Sequence, residues 1–509
     1  MEKISKFLRS RFFLGALVIL IEFAVLISLY VWLSAVFLPI TIIAYILYFV
    51  TVIYVLNRDE IPEMKLPWLV ILLLLPVVGP FVFFLLSSNK ASKSDYQRYA
   101  KYAKKIVPHL QQTENIEKLK ETDIDAYAQA RYLYFAAKSP VFDKSKTTYY
   151  TLGEDFFADL KVELKKAKQY IFMEYFIVQE GIMWNSIHEI LVSKVREGVE
   201  VYMMYDDLGC IATLPDNYFE ALNDEGIHCV PCNKFKPILS HIHNNRDHRK
   251  ITVIDGKVGF TGGINLADEY INAYIKHGHW KDTAVKIEGE AVKGLLALFI
   301  SLWNMQPVRP LDPDKYLYGI LKGECGNGYV IPFGDSPSPI DTEDIGKTVY
   351  MNMANCAKKY LYICTPYLIC DRELINCLCN TALKGVDVRL ITPHIPDKKA
   401  VFLMTRSNYS RLILSGVKVY EYTPGFIHAK SFVSDDKFAV CGTINLDYRS
   451  LVHHFECGAW MYNTECIADM KNDFLHTVSM SQQVSLKESK LNTFERIFAE
   501  LMKVFSPLL

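Results

Sequence analysis

A histidine, a lysine two positions on, an aspartate, a glycine and an asparagine occur twice in this chain at matched spacing. The first set is His248, Lys250, Asp255, Gly262 and Asn265, and the second is His428, Lys430, Asp435, Gly442 and Asn445. Imidazole titrates near neutral pH, so a histidine can attack a centre or carry a proton to and from it. Lysine is a cation and the asparagine amide a neutral donor, and preorganised donors of this kind neutralise anionic oxygens without a metal. Each set therefore carries half of what a phosphodiester demands. One imidazole can attack phosphorus and form a phosphohistidine, while the other protonates the leaving alcohol and deprotonates the incoming one. A single His-x-Lys on a strand is more often a surface accident. Its repetition at equal spacing points to an enzyme acting on phosphodiesters.

The elements that must position these groups can be read around them. Side chains two apart share a strand face, so His248 and Lys250 point one way, as do His428 and Lys430. Asp255-Gly256 is a hairpin-turn signal, and Asp435-Asp436 stands in its place in the second copy. The motif aspartate is thus expected to fix a turn rather than touch a substrate. Gly262 and Gly442 end the next strand, where a side chain would block a close approach, and Asn265 and Asn445 follow as amide donors. Upstream, Ala357-Lys358-Lys359-Tyr360-Leu361 echoes Ala167-Lys168-Gln169-Tyr170-Ile171, and Lys384-Gly385-Val386-Asp387-Val388 echoes Glu197-Gly198-Val199-Glu200-Val201. Short buried strands separated by helical stretches predict an α/β fold of two pseudo-twofold halves that share one site at their seam.

The chain has 509 residues, 51% hydrophobic and 22% charged, with zero formal net charge. That charge supplies no basic field for nucleic acid, and no nucleic-acid partner is expected. Twelve cysteines form no framework; Cys229 and Cys232 make a C-x-x-C without a second pair, which favours buried thiols over zinc. From Phe12 to Leu56 only Glu22 is charged, a stretch about twice the ~20 residues of one membrane span. A break near Ser34 to Pro39 divides it, and Pro67 to Leu86 is a further apolar run. An N-terminal transmembrane helical region of two or three spans follows, in a multi-pass cell-membrane protein. Lys3, Lys6, Arg9 and Arg11 on one flank, and Lys90, Lys93, Arg98, Lys101, Lys104 and Lys105 on the other, both prefer the cytoplasmic side. Three full spans cannot satisfy both, so one segment re-enters or the first flank yields; a cytoplasm-facing soluble part is expected. The expected divisions are an anchor over 1–90, a basic juxtamembrane linker over 91–122, a first half over 123–312, a second half over 313–488, and a C-terminal amphipathic helix over 489–509. That last helix carries Leu491, Phe494, Ile497, Phe498, Leu501, Val504 and Phe505 at helical spacing.

The doubled motif resembles the "HKD" element of the phospholipase D superfamily at all five positions in both copies. Asn245-Arg246-Asp247-His248-Arg249-Lys250, Asn445-Leu446-Asp447-Tyr448-Arg449-Ser450-Leu451, Thr365-Pro366-Tyr367, the Leu72 to Pro80 run and the ending Phe505 to Leu509 resemble the bacterial cardiolipin synthase branch. The resemblance implies a catalytic set of His248, Lys250, Asp255, His428, Lys430 and Asp435, with His248 the nucleophile and His428 the acid and base. Asn265 and Asn445 would bind substrate. It also implies a carboxylate about thirty residues downstream that orients each imidazole, which selects Asp282 and Glu456. The branch often has Ser or Thr after the motif glycine; Thr443 conforms and Gly263 does not. His454 stands where the branch often has Asn, and a supporting or surface histidine is its plainer reading.

The implied reaction is phosphatidyl transfer between two phosphatidylglycerol molecules, giving cardiolipin and glycerol with no cofactor. A phospholipase D hydrolase, using water as acceptor, or a broader-acceptor phosphatidyltransferase on membrane phospholipids, would carry the same residues. A superfamily nuclease is opposed by the neutral charge and the apolar N-terminus. A scaffold is opposed by the completeness of both motifs.

Overall fold

The computed structural model describes residues 11–36, 38–88, 91–235, 244–318 and 326–508. The α/β alternation folds into two large sheets. The seven-stranded sheet runs Lys146–Tyr150, Ala284–Glu288, Val258–Gly262, Lys250–Ile254, Tyr170–Tyr175, Glu200–Asp206 and His228–Cys232 from edge to edge. Its last three strands are mutually parallel and its other neighbours antiparallel. The second sheet repeats that order and those directions over Tyr329–Asp335, Glu456–Tyr462, Phe438–Gly442, Ser431–Ser434, Tyr360–Cys364, Asp387–Pro393 and Lys418–Tyr422. It adds Phe142–Asp143 at one edge and Ser481–Gln483 at the other.

Both faces of each sheet are covered, which is why the central strands read as unbroken apolar runs. Alternate residues of Tyr170–Tyr175 go to opposite sides. Ile171 and Met173 meet Leu160 and Trp184 of the helices Gly153–Lys166 and Ile182–Arg196. Phe172 instead enters a core shared by the halves, with Leu295 and Phe299 of the helix Val292–Trp303 and Phe474 of the helix Cys466–Ser479. On the far side of the second sheet, Val349 and Met353 of the helix Ile345–Cys356 meet Leu374 and Leu378 of the helix Arg372–Leu383. Cys229 and Cys232 are buried strand residues with free thiols.

Two expected boundaries shift. The helix Ile124–Ala136 buries Ala130 and Leu133 in the core of the second half, and Phe142–Asp143 pairs with Tyr329 and Val330. Chain that precedes the first sheet thus completes the second. Conversely, the helix Pro313–Leu317 packs Tyr316 against Tyr170 and Phe172 of the first sheet. Residues 91–122 form no open linker. The helix Lys93–Leu110, capped by Ser92, buries Ile106 in the shared core, and Glu114–Thr122 buries Ile116 and Leu119.

Of the two or three spans expected in the N-terminal region, the third does not form as one helix. Helices Arg11–Val36 and Leu38–Asn57 divide where the break was expected, and Phe13–Trp32 is long and apolar enough to cross a membrane. The third apolar run is two short helices, Pro62–Leu74 and Gly79–Leu86. Pro76 has no N–H to continue a helix, and at ~1.5 Å per residue neither piece approaches the ~30 Å of a bilayer core. They fold against each other where Gly79 meets Leu72, whose Cα would lie 3.1 Å from an added Cβ. Met64 on the first piece is buried with Ile369, Met404 and Tyr448, tying the hairpin to the second half. Lys3, Lys6, Arg9, Lys90 and Leu509 lie outside the described residues.

A C-terminal helix spans Thr493–Phe505, closed by a capping box between Asn492 and Glu495. Ala499 is buried, whereas Phe494, Ile497 and Leu501 are exposed.

Candidate active site

Each motif histidine sits just before the strand, Lys250–Ile254 or Ser431–Ser434, that leads to its motif aspartate, and its backbone is fastened to the opposite half. The His248 N–H donates to the Phe455 carbonyl at 2.9 Å, and the Phe455 N–H donates to the Arg246 carbonyl at 2.8 Å. Likewise Gly425–Ile427 pairs in parallel with His279–Lys281, and the His428 N–H donates to the Lys281 carbonyl at 2.7 Å. The residue after Phe455 is Glu456 and the residue after Lys281 is Asp282. Two short parallel ribbons therefore deliver each carboxylate to the histidine of the other half.

The side chains complete that exchange. His248 Nδ1 lies 2.9 and 3.0 Å from the Glu456 oxygens, and His428 Nδ1 lies 2.6 Å from Asp282 Oδ2. The carboxylate about thirty residues downstream thus serves the opposite histidine rather than its own. With Nδ1–H given to a carboxylate, Nε2 of each ring keeps its lone pair for chemistry. Lys430 Nζ also approaches His428 Nδ1 to 2.8 Å. One nitrogen cannot donate to Asp282 and accept from a cation, and the shorter charged partner fixes the tautomer.

The lysines lie close behind. Lys250 Nζ and Lys430 Nζ each donate to the carbonyl of their own histidine, and Lys250 sits over the Phe176 ring at 5.3 Å. Burial lowers Lys250 to about 8 against the pull of Glu456, and Lys430 to about 7 against the pull of Asp282. Burial, opposed by Glu456 and reinforced by Lys250, lowers His248 to about 3. Burial together with Lys430 and Lys250 holds His428 far below the usual range. Both rings are therefore neutral at pH 7. Lys250 acts electrostatically on His428 and Lys430, so the two motifs lie within one field.

The carboxylates are unlike. Burial resists ionisation of Glu456, but His248 overcomes it and holds Glu456 well below the carboxylate range. The Thr443 hydroxyl donates to the same carboxylate. Gly263 occupies the Thr443 position in the first half, and an added Cβ there would lie 2.1 Å from Asp282 Oδ1. The missing hydroxyl is thus space taken by the shorter acid. Without that donor, burial raises Asp282 to about 7, opposed by Lys430. Gly262 and Gly442 meet the predicted close approaches, with added Cβ atoms 2.4 Å from the Thr283 carbonyl and 2.5 Å from the Cys457 carbonyl.

Asp255 and Asp435 stand in the hairpin turns, but their carboxylates reach backbone at the start of a distant strand. Asp255, at φ +50°, accepts the N–H groups of Lys168, Gln169 and Tyr170 at 2.8 to 3.0 Å, and Asp435, at φ +56°, accepts those of Lys358, Lys359 and Tyr360 at 2.7 to 2.9 Å. Each lies beyond the far end of the strand that follows its histidine, so neither reaches an imidazole. Asn265 is engaged too, accepting the Ile177 N–H and donating to the Tyr270 hydroxyl. The buried Oδ1 of Asn445 has no hydrogen-bond partner among the described residues.

Sequence reasoning missed several supporting groups. Asp206 receives Arg246 Nε and the Asp247 N–H and anchors the approach to His248; its position at the end of a parallel strand is the signal that marked it. Trp280 and Tyr270 flank His428, at 5.5 Å between ring centroids. His248, His454 and Glu456 place ligand atoms within 4.8 Å of one another and could hold a metal. An ion there would bind the groups that leave His248 free to attack.

Known proteins share this class of fold. Residues 350–478 match the family model "Cardiolipin synthase, PLD-like domain", and residues 46–87 match "Phospholipase_D-nuclease N-terminal". The crystal structure of phosphatidylserine synthase from Haemophilus influenzae superposes with a TM-score of 0.56 at 15% identity, covering 75% of this chain and all of that one, a likeness of fold. A Streptococcus mutans protein described as uncharacterized is 42% identical over 90% of this chain and 99% of its own. The cardiolipin synthase of Alkalihalophilus pseudofirmus is 35% identical over 90% of this chain and 91% of its own. The chain belongs to the cardiolipin synthase family, and its activity is of the phosphatidyltransferase class.

Proposed function

We propose that the two halves form one active site that moves a phosphatidyl group from one phosphatidylglycerol to another. His248 Nε2 attacks phosphorus and the bond to the head-group glycerol breaks; that glycerol takes its proton from His428 Nε2, which picks one up from solvent as the anionic substrate offsets the lysine charges and recovers it from the acceptor in the second step. His428 then takes the proton of a hydroxyl on the second phosphatidylglycerol, whose oxygen displaces His248 and yields cardiolipin. One phosphodiester replaces another, so no cofactor is needed. Lys250, Lys430 and Asn445 hold the phosphoryl oxygens. Asp282 and Glu456 fix the tautomers, and Asp255 and Asp435 act at a distance by fastening the motif strands. The observation that carries this reading is the reciprocal exchange of carboxylates between the two histidines.

The same reading puts the enzyme in a cell membrane. Leu66, Leu73 and Leu74 of the hairpin and Phe494, Ile497 and Leu501 of the C-terminal helix are exposed, and these two elements touch. Such a surface suits a lipid interface. If the first two helices cross and the hairpin does not, both basic flanks stay on the cytoplasmic side with the catalytic body.

The purified full-length protein, given labelled phosphatidylglycerol in vesicles, tests the assignment. Cardiolipin and glycerol are expected, with His248→Ala and His428→Ala each abolishing product. Phosphatidic acid without cardiolipin would overturn it in favour of a hydrolase.

A further inference from the structure

His454 is buried beside the catalytic pair, 8% exposed, and neither of its ring nitrogens has a hydrogen-bond partner among the described residues. Unpartnered polar atoms at such depth are costly unless something meets them. Its ring centroid is 5.6 Å from that of His248, and its Nδ1 is 3.7 Å from Glu456 Oε1. One nitrogen or oxygen from each of His248, His454 and Glu456 lies within 4.8 Å of the others. Two imidazoles and a carboxylate are a zinc ligand set, and at bonds of ~2.0–2.1 Å the ligands of a tetrahedral ion stand roughly 3.4 Å apart. The His454 to Glu456 separation is already near that edge, and side-chain rotation closes the rest. Thr443 donates to the same carboxylate, the kind of outer hydrogen bond that orients a metal ligand. Magnesium and calcium, which prefer about six or more oxygens, do not suit this set.

The surroundings favour a cation as well. His454 lines a cavity of about 340 Å³ together with Asp59, Glu60, Asp335, Asp341, Glu343 and Asp344. Arg58 is the one lysine or arginine in that lining, and its charge is met by Glu60 while it donates to the Ser87 carbonyl at 3.3 Å. Burial raises Asp335 and Asp344 and lifts Asp341 to about 6, so these carboxyls lack enough positive charge to hold them ionised. A concave acidic lining concentrates cations and repels anions.

We propose that His248, His454 and Glu456 form a site for a zinc-class dication that switches the transferase off, with the acidic cavity as its approach. Binding stands on this geometry alone, whereas inhibition rests on the phosphatidyl-transfer reading, in which His248 Nε2 is the nucleophile. The step balances without net release of a proton. The proton on His248 Nδ1 passes to Nε2 through solvent, and the Nδ1 lone pair so freed binds the ion. Nε2 then has no lone pair to offer phosphorus, and Glu456, turned to the ion, no longer fixes the tautomer. Coordination through Nε2 instead occupies the nucleophile itself, so either nitrogen gives the same result.

Full-length protein, freed of metal and held in mixed micelles, tests it by titration with zinc chloride, with magnesium chloride as the control. The wild type is expected to take one zinc per chain from a fluorescent zinc indicator. Cardiolipin formation from phosphatidylglycerol should fall in step and return when a chelator is added, and magnesium should do neither. His454→Asn introduces the residue the branch often has there, which supplies no imidazole. Loss of a supporting partner alone costs about 10- to 100-fold in metal affinity, so the zinc concentration that halves the metal-free rate should rise at least tenfold in this variant. A wild type that binds no zinc overturns the site. Equal inhibition of wild type and His454→Asn, the mark of zinc held by lipid phosphate, overturns it too, and zinc bound through His454 without loss of transfer refutes the switch. Should His454→Asn not fold, His454→Gln takes its place under the same readings. A metal-free wild type that makes no cardiolipin refutes the phosphatidyl-transfer reading instead, while the indicator still decides whether His454 holds zinc.

Discussion

Replacing Glu456 by Gln keeps the shape of the side chain and removes the charge that pairs with His248. The carboxylate is fully buried, lies 2.9 and 3.0 Å from Nδ1, and also accepts from Thr443. Glutamine replaces one of the two oxygens by an NH2 that accepts from neither His248 nor Thr443, and it removes the charge from the bond to His248. A hydrogen bond to a charged group contributes roughly 1.5–3 kcal/mol, and ~1.4 kcal/mol is tenfold in rate. Cardiolipin formation should therefore fall about 10- to 150-fold, and further if the amide inverts the tautomer. Thr443→Val removes a neutral donor worth roughly 0.5–1.5 kcal/mol and should cost about 2- to 12-fold. Initial rates on phosphatidylglycerol vesicles, read beside the thermal unfolding midpoint of each protein, make the comparison. A Glu456→Gln rate within threefold of wild type, in protein that unfolds at the same temperature, would refute the claim that Glu456 holds the nucleophile.

Further outcomes follow from the same geometry. Lysine is charged below its pKa, and Lys430 near 7 and Lys250 near 8 lose charge as the pH rises through those values; kcat/KM should decline above about pH 7 to 8, whereas a flat profile to pH 10 would remove both cations from substrate binding. A bound phosphate favours the charged lysines, so kcat should hold to higher pH than kcat/KM. Gly263→Ala places a Cβ 2.1 Å from Asp282 Oδ1 and must push that carboxylate off His428, so transfer should drop at least tenfold, and full activity would contradict the packing. Asp255→Ala removes the acceptor of three backbone N–H groups at a left-handed position. It should cost roughly 2–3 kcal/mol of stability, seen as a lower unfolding temperature in detergent.

The sequence alone determined the chemistry and the repeat. His248, Lys250, His428 and Lys430 could be read because one imidazole and one cation must share a strand face, and because the same spacing occurs twice. The turn at Asp255 and Asp435 was legible because a turn is local, whereas the N–H groups their carboxylates accept, those of Lys168 to Tyr170 and Lys358 to Tyr360, begin a distant strand and were not. What only the tertiary structure decided is what meets across the seam. Asp282 and Glu456 were marked as orienting acids, yet which imidazole each serves depends on parallel ribbons between segments 146 and 208 residues apart, and no local rule fixes such pairings. Gly263 read as a missing hydroxyl until Asp282 was found in its space. The apolar run from Pro67 to Leu86 was long enough to span, and Pro76 with the close contact at Gly79 folded it into a hairpin held on the catalytic body. Composition and spacing record what a segment can do alone, whereas the choice among partners is made by the packing of both halves around one core.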